Sequence, residues 1–238
     1  MIHDSYLSRK NEFMRNFDKS LARVKPRVTS LLGDEQGNQF IREASQEYEA
    51  LIPRIPFIGN NRLLLSFLLP SSQYLAVYRA LQRQDRTVED AGWLIFMMAT
   101  DEVRAMPHIT RRFMGYLWFS PLFKGLLNKR AIRSQKRTYL EDWVLNYVPG
   151  DGREFDYGVD YIECVHCKFL RAENAFELAP YVCATDKPIS ELVGWGLTRT
   201  MTLAEGFSKC DFRFKKGGKT NVPIPQSLQM LLEGNWQK

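Results

Sequence analysis

The sequence predicts an α+β fold, with helices over the first two thirds of the chain and a C-terminal mixed unit containing a small antiparallel sheet. Three observations carry this. Up to about residue 147, apolar residues recur at helical spacing. The run Val148-Pro149-Gly150-Asp151-Gly152 then stops that pattern. Beyond it, short stretches alternate with a period of two, as strands do. The organisation implied is a mainly helical region over 1–150 and an α+β region over 151–238, which together can make one continuous domain.

Each element has its own signal. Tyr6, Leu7, Phe13, Met14, Phe17, Leu21 and Val24 mark a helix over 4–30, with Pro26 as a late breaker. Residues 33–38 are turn chemistry, and 39–51 form a second, more polar helix. Two prolines and a glycine make 52–61 an extended loop. Residues 63–69 are apolar all round and read as buried; Pro70 ends or kinks them, and Ser71 or Ser72 caps a helix to about Arg83. Thr87-Val88-Glu89-Asp90 is a capping pattern, with Thr87 as N-cap and Asp90 in the first turn. The helix it opens runs to about Ala105 and buries Trp93, Phe96, Met97 and Val103.

After Pro121 the helical pattern resumes and continues to Trp143 and Tyr147. Residues 159–165 read as a strand, and 168–178 as a helix closed by Pro180. Over 195–203, Thr198, Thr200 and Thr202 alternate with Leu197, Arg199, Met201 and Leu203, which is strand periodicity. Residues 210–214 form a second strand, a hairpin partner of the first. The tail, with Pro223 and Pro225, is an arm followed by a short helix.

Composition bounds the function classes. A hydrophobic fraction of 45% in 238 residues gives enough apolar surface for a substantial core, and this excludes a disordered chain. The start lacks the apolar segment of an export signal, and the longest apolar runs, 63–70 and 113–127, are too short to span a bilayer. Four cysteines are too sparse for a disulfide scaffold. The expectation is a cytoplasmic protein with reduced thiols. The net charge of +6 is uneven: from 111 to 140 there are eight Lys or Arg residues and no acid. No nucleic-acid motif accompanies them, so nucleic acid is not an expected partner. A solvated helix face, or membrane-surface contact through 111–137, is expected instead.

The chemistry is concentrated in 161–214. All four cysteines, Cys164, Cys167, Cys183 and Cys210, lie there with His166, Asp186, Arg199 and Asp211. A thiol needs a lowered pKa or an adjacent base to react at neutral pH. Cys183 precedes a helix start, which can stabilise a thiolate. Cys210 and Asp211 are strand neighbours and point to opposite faces. His166 is a candidate base, though a structurally satisfied residue is the better reading. Arg199 shares a strand face with apolar residues, so it must pair, either with Asp186 or Asp211 or with a substrate carboxylate. The four thiols also suggest a structural zinc site, but the second half lacks its own Cys-x-x-Cys.

The pattern Cys167…Glu177-Leu178-Ala179-Pro180-x-x-Cys183-x-x-Asp186…Arg199-Thr200-x-Thr202-Leu203-Ala204-x-Gly206…Cys210-Asp211-Phe212-Arg213 resembles the L-2-amino-thiazoline-4-carboxylic acid hydrolase family. The likeness extends more weakly upstream, to about residue 55. Cys164 and His166 lie outside the pattern. The resemblance implies hydrolytic opening of a small cyclic isothiourea bearing a carboxylate, to an N-carbamoyl product. It implies Cys183, Asp186, Cys210 and Asp211 as catalytic candidates, and Arg199, Thr200 and Cys167 as substrate-binding ones. Cys183 is the first choice of nucleophile. No cofactor or metal ligand is assigned; metal-assisted hydrolysis by a divalent ion is the variant. A non-catalytic domain that binds a small ligand is the alternative.

Overall fold

The computed structural model describes residues 4–234. Its first half is helical: α1 (Asp4–Leu7), α2 (Lys10–Leu32), α3 (Asp34–Leu51), α4 (Arg62–Gln82) and α5 (Val88–Ala105). α2 packs on α3 and α5, and α4 packs on α3 and α5, so the four long helices enclose one core. α2 runs straight through Pro26, against expectation. Proline removes one backbone donor and crowds the preceding turn, costing about 3 kcal/mol. Phe17, Val24 and Val28 on one side of α2 are fully buried, and each is worth roughly 1.5–3 kcal/mol. Burial on both sides of the proline therefore wins.

The same holds at Pro70, which lies inside α4 rather than ending it. Ser71 and Ser72 are buried within that helix, and its cap is Asn61, whose side chain accepts from the N–H groups of Leu63 and Leu64. Residues 63–69 are not buried all round: Leu63 and Phe67 face solvent. The turn expected over 33–38 shrinks to Gly33, at φ +82°, and α3 starts directly after it. The capping box at Thr87 and Asp90 forms as the sequence indicates.

α6 (His108–Trp118) and α7 (Pro121–Ser134) follow, and here the helical pattern ends earlier than expected. Val144–Pro149 is a strand, β1, antiparallel to β2 (Tyr157–Glu163). The 143/147 spacing fits a helix, but 143/145/147 fits a strand face equally well, and short apolar runs do not distinguish the two. Ser134 and Gln135 at the end of α7 bond the backbone of Leu145, which stops the helix against the sheet. Val148 and Pro149 of the breaker run thus end β1, and residues 150–152 lie in the β1–β2 connection.

The sheet order is β1-β2-β4-β3, with β3 (Leu197–Thr198) and β4 (Cys210–Phe214) antiparallel. The long β2-to-β3 connection holds α8 (Val165–Ala172), α9 (Ala179–Ala184) and α10 (Asp186–Val193). Pro180 starts α9 instead of closing the helix before it; a missing N–H costs nothing in a first turn. The expected strand over 195–203 is only two residues long, because the N–H groups of Thr200 and Met201 bond the Asp211 carboxylate rather than a neighbouring strand. α11 (Gln226–Leu232) closes the described chain. α8 packs on α4, while α9, α10 and α11 pack on α5, so the two parts share one core.

Candidate functional site

Sheet register decides which side chains face the core. Tyr161 on β2 sits opposite Cys210 on β4, and Asp160 sits opposite Asp211. Side chains alternate along a strand, so Tyr161 and Cys210 share one face and the two aspartates share the other. On the outer face, Asp160 is paired with Lys209 and Arg213 at 2.6 and 2.8 Å. On the inner face, the Cys210 thiol accepts the Leu203 N–H at 3.2 Å.

Arg199 links this face to the helices. Its side chain is 3% exposed. Nη1 donates to Asp186 Oδ2 at 2.5 Å, and Nη2 donates to the Cys183 carbonyl at 3.1 Å. The guanidinium lies 5.3 Å from the Phe212 ring centroid. Its Nε–H is buried and has no partner among the described residues. Cys183 comes from α9 and Asp186 opens α10, so the short α9–α10 corner brings a thiol and a carboxylate to one arginine. Cys164 precedes α8 and Cys167 lies in its first turn, and their thiols share a hydrogen bond.

Electrostatics ties the cluster together. Burial pushes the Cys183 thiol well up; Arg199 opposes this, while Cys164, Asp186 and Cys210 add to it. Burial pushes the Cys210 thiol up to about 12, only partly offset by the Leu203 N–H. The Cys164 thiol is raised by its bond to Cys167 and by burial. These thiols rest protonated at neutral pH. Burial also raises the Asp186 carboxyl, and Arg199 offsets part of the rise. Yet 29% of the Asp186 side chain reaches solvent, so this carboxylate is not sealed from water.

The structure brings together Cys183, Asp186, Arg199 and Cys210, with the Cys164–Cys167 pair beside them. It leaves Asp211 and Thr200 outside. Asp211 accepts from the Thr200 N–H, the Met201 N–H and the Thr200 hydroxyl at 2.8, 2.7 and 2.6 Å, which braces the turn that carries Arg199. Burial pushes its carboxyl up, but these bonds outweigh burial and hold it below the ordinary value. His166 turns away to Ser71, with Nδ1 2.5 Å from the hydroxyl and its ring edge-on to Trp143; burial holds it down at about 4, so it is neutral.

Sequence reasoning missed two phenols. Burial first, and then the nearby charges of Asp186, Cys164 and Cys210, push the Tyr161 phenol up, and the buried Tyr74 of α4, raised by burial, also lies near enough to Asp186 to feel its charge. Only the β2–β4 register could have revealed Tyr161, and no local signal marks Tyr74. Among the described residues, no three His, Cys, Asp or Glu side chains are arranged to hold a metal ion. Two surface concavities, of about 340 and 430 Å³, lie elsewhere, one beside Arg130 and Trp143 and the other beside Lys124 and Lys215. Both are open and basic, and neither contains the thiol–carboxylate chemistry. The cluster supplies protonated thiols beside a partly open carboxylate with a fixed positive partner. That combination can move a proton and present a sulfur nucleophile.

A family model described as L-2-amino-thiazoline-4-carboxylic acid hydrolase matches residues 76–214, more than half of the chain. The match includes α5 to β4 and every residue of the cluster except Tyr74. No curated protein and no solved structure matches the chain.

Proposed function

The chain belongs to the L-2-amino-thiazoline-4-carboxylic acid hydrolase family, and on that premise we propose that it hydrolyses a small cyclic isothiourea or amidine bearing a carboxylate, opening the ring to an N-carbamoyl product. The observation that carries this reading is Asp186, a carboxylate raised by burial, held by Arg199, beside the Cys183 thiol and still reached by solvent. A cationic amidine needs such an acceptor, and a resting thiol needs a base before it can attack.

Cys183 attacks the amidine carbon as its proton passes to Asp186. The ring carbon–sulfur bond breaks, and the departing sulfur takes a proton from Asp186. Water then attacks the same carbon, the bond to Cys183 breaks, and the thiol is restored. One water is consumed, a thiol is released, and the attacked carbon becomes the urea carbonyl. Arg199 is a positioning residue for Asp186; its unpartnered Nε–H is the donor left for a substrate carboxylate. Asp211 and Thr200 hold the Arg199 turn. Tyr161 is a further proton donor at the cluster.

The test is thiol release from 2-aminothiazoline-4-carboxylate by the purified full chain, followed with a thiol-reactive dye. Turnover is expected, with losses of about 100-fold or more in Cys183→Ser and Asp186→Asn. Unchanged turnover in Cys183→Ser removes the nucleophile role and leaves water activated by Asp186. Unchanged turnover in both variants overturns the assignment of this site. Saturable binding without turnover supports the ligand-binding alternative.

A further inference from the structure

α6 and α7 differ from every other long helix in the chain. α6 buries none of its residues, although it is rich in apolar ones. Ile109, Phe113 and Tyr116 are 77%, 63% and 67% exposed, and their spacing puts them on one stripe. α7 buries only Ala131 and Ser134, and leaves Leu122 and Leu126 exposed, one turn apart. On α4, exposed Phe67 lies 6.3 Å from the Trp118 ring, on the other side of α6 from that stripe. Large apolar side chains left exposed along two successive helices mark an interaction site rather than ordinary exterior.

The charge on the same face is one-sided. No Asp or Glu occurs from 103 to 140. Arg130 and Arg137 are satisfied by Asp142 and Glu163. The side chains of Arg112, Lys124, Lys129, Arg133 and Lys136 have no ion pair or hydrogen bond among the described residues. Lys129 and Arg133 continue the Leu122–Leu126 stripe at helical spacing, and Arg112 adjoins Phe113.

We propose that the α6–α7 face docks on an anionic lipid bilayer, with Phe113, Leu122 and Leu126 entering the headgroup boundary and the neighbouring Lys and Arg side chains meeting the lipid charges. An interface of this kind takes apolar and cationic groups together. A second copy of the chain would bring two cationic faces into contact, which opposes self-association here. A nucleic-acid duplex would satisfy the cations but leave the exposed aliphatic side chains in water. No described helix is long and apolar enough to cross a membrane, so the contact is superficial and reversible. This proposal is independent of the catalytic reading, since none of these residues belongs to the cysteine cluster.

The test is co-sedimentation of the full chain with phosphatidylcholine vesicles, with and without phosphatidylserine. Binding is expected to be at least about tenfold tighter with phosphatidylserine and to weaken as salt rises. Leu122→Ser/Leu126→Ser and Lys129→Glu/Arg133→Glu should each weaken it by about tenfold or more, with unchanged circular dichroism, because all four side chains are exposed. Three outcomes would overturn the proposal: no preference for phosphatidylserine, binding indifferent to the leucine pair, or a dimer in sedimentation velocity that the leucine pair dissolves. Tighter binding to a DNA duplex than to vesicles, unchanged by the leucine pair, would do the same and point to nucleic acid.

Discussion

Separating Arg199 from Asp186 should reveal how the site is held. Asp186→Asn keeps the side-chain shape but removes its charge. Arg199 is then a guanidinium with 3% exposure and no counter-ion. Removing one partner of a buried pair costs about 3–5 kcal/mol, because the other charge is left uncompensated. The reverse change, Arg199→Met, strands a carboxylate whose side chain is 29% exposed and whose pKa burial already raises. It can take a proton, so the expected cost is about 1–3 kcal/mol, including the lost bond to the Cys183 carbonyl. The double variant should cost less than the sum by about 1–3 kcal/mol, since neither charge is stranded. Urea denaturation at neutral pH measures all three, provided the slope stays constant. The reasoning is refuted if Arg199→Met costs more than Asp186→Asn, or if the two effects add to within about 0.5 kcal/mol.

Three other outcomes follow from the geometry. In Gly92→Ala the new Cβ would lie 2.0 Å from Tyr181 Cδ1, so thermal unfolding should show a loss of about 1–3 kcal/mol, partly recovered by Tyr181→Ala in the same chain. His166 is held at about 4 in the fold against an ordinary 6.5, so the unfolded chain binds the extra proton between those values. Stability should therefore fall as pH drops from about 6.5 to about 4, by up to roughly 3 kcal/mol, and His166→Gln should flatten that slope in denaturation titrations. Asp211→Ala removes the acceptor of three hydrogen bonds in the turn that follows Arg199. It should cost about 1.5–3 kcal/mol at neutral pH, the bonded groups being those of Thr200 and Met201, which follow Arg199. Because the folded pKa is lowered, that contribution is present above the ordinary carboxyl value and disappears as pH falls through the folded one, so variant and parent should converge in acid.

Features that depend on near neighbours were legible in the amino acids alone. The Thr87–Asp90 capping box is a contact across three residues, so its composition suffices. The alternation in Cys210–Phe214 identified the strand and separated Cys210 from Asp211, because successive strand residues face opposite ways. The motif from Cys167 to Arg213 also indicated the family, and the four cysteines marked the part of the chain where the cluster lies. Pro26 misled, and Pro70 does not end its helix, because a local penalty of a few kcal/mol is smaller than the burial available on both sides of each. β1 was read as helix because a spacing of four and a spacing of two share positions in so short a run.

The choice of partners came from the packing of the whole chain. Arg199 had two acidic candidates, and the fold gave it Asp186 while turning Asp211 to its own backbone. Tyr161 joined the cluster through the β2–β4 register, and Tyr74 through the packing of the helical half against the C-terminal one. Such contacts join residues from about ten to more than a hundred positions apart, and they form only when the helices and the sheet close on one core.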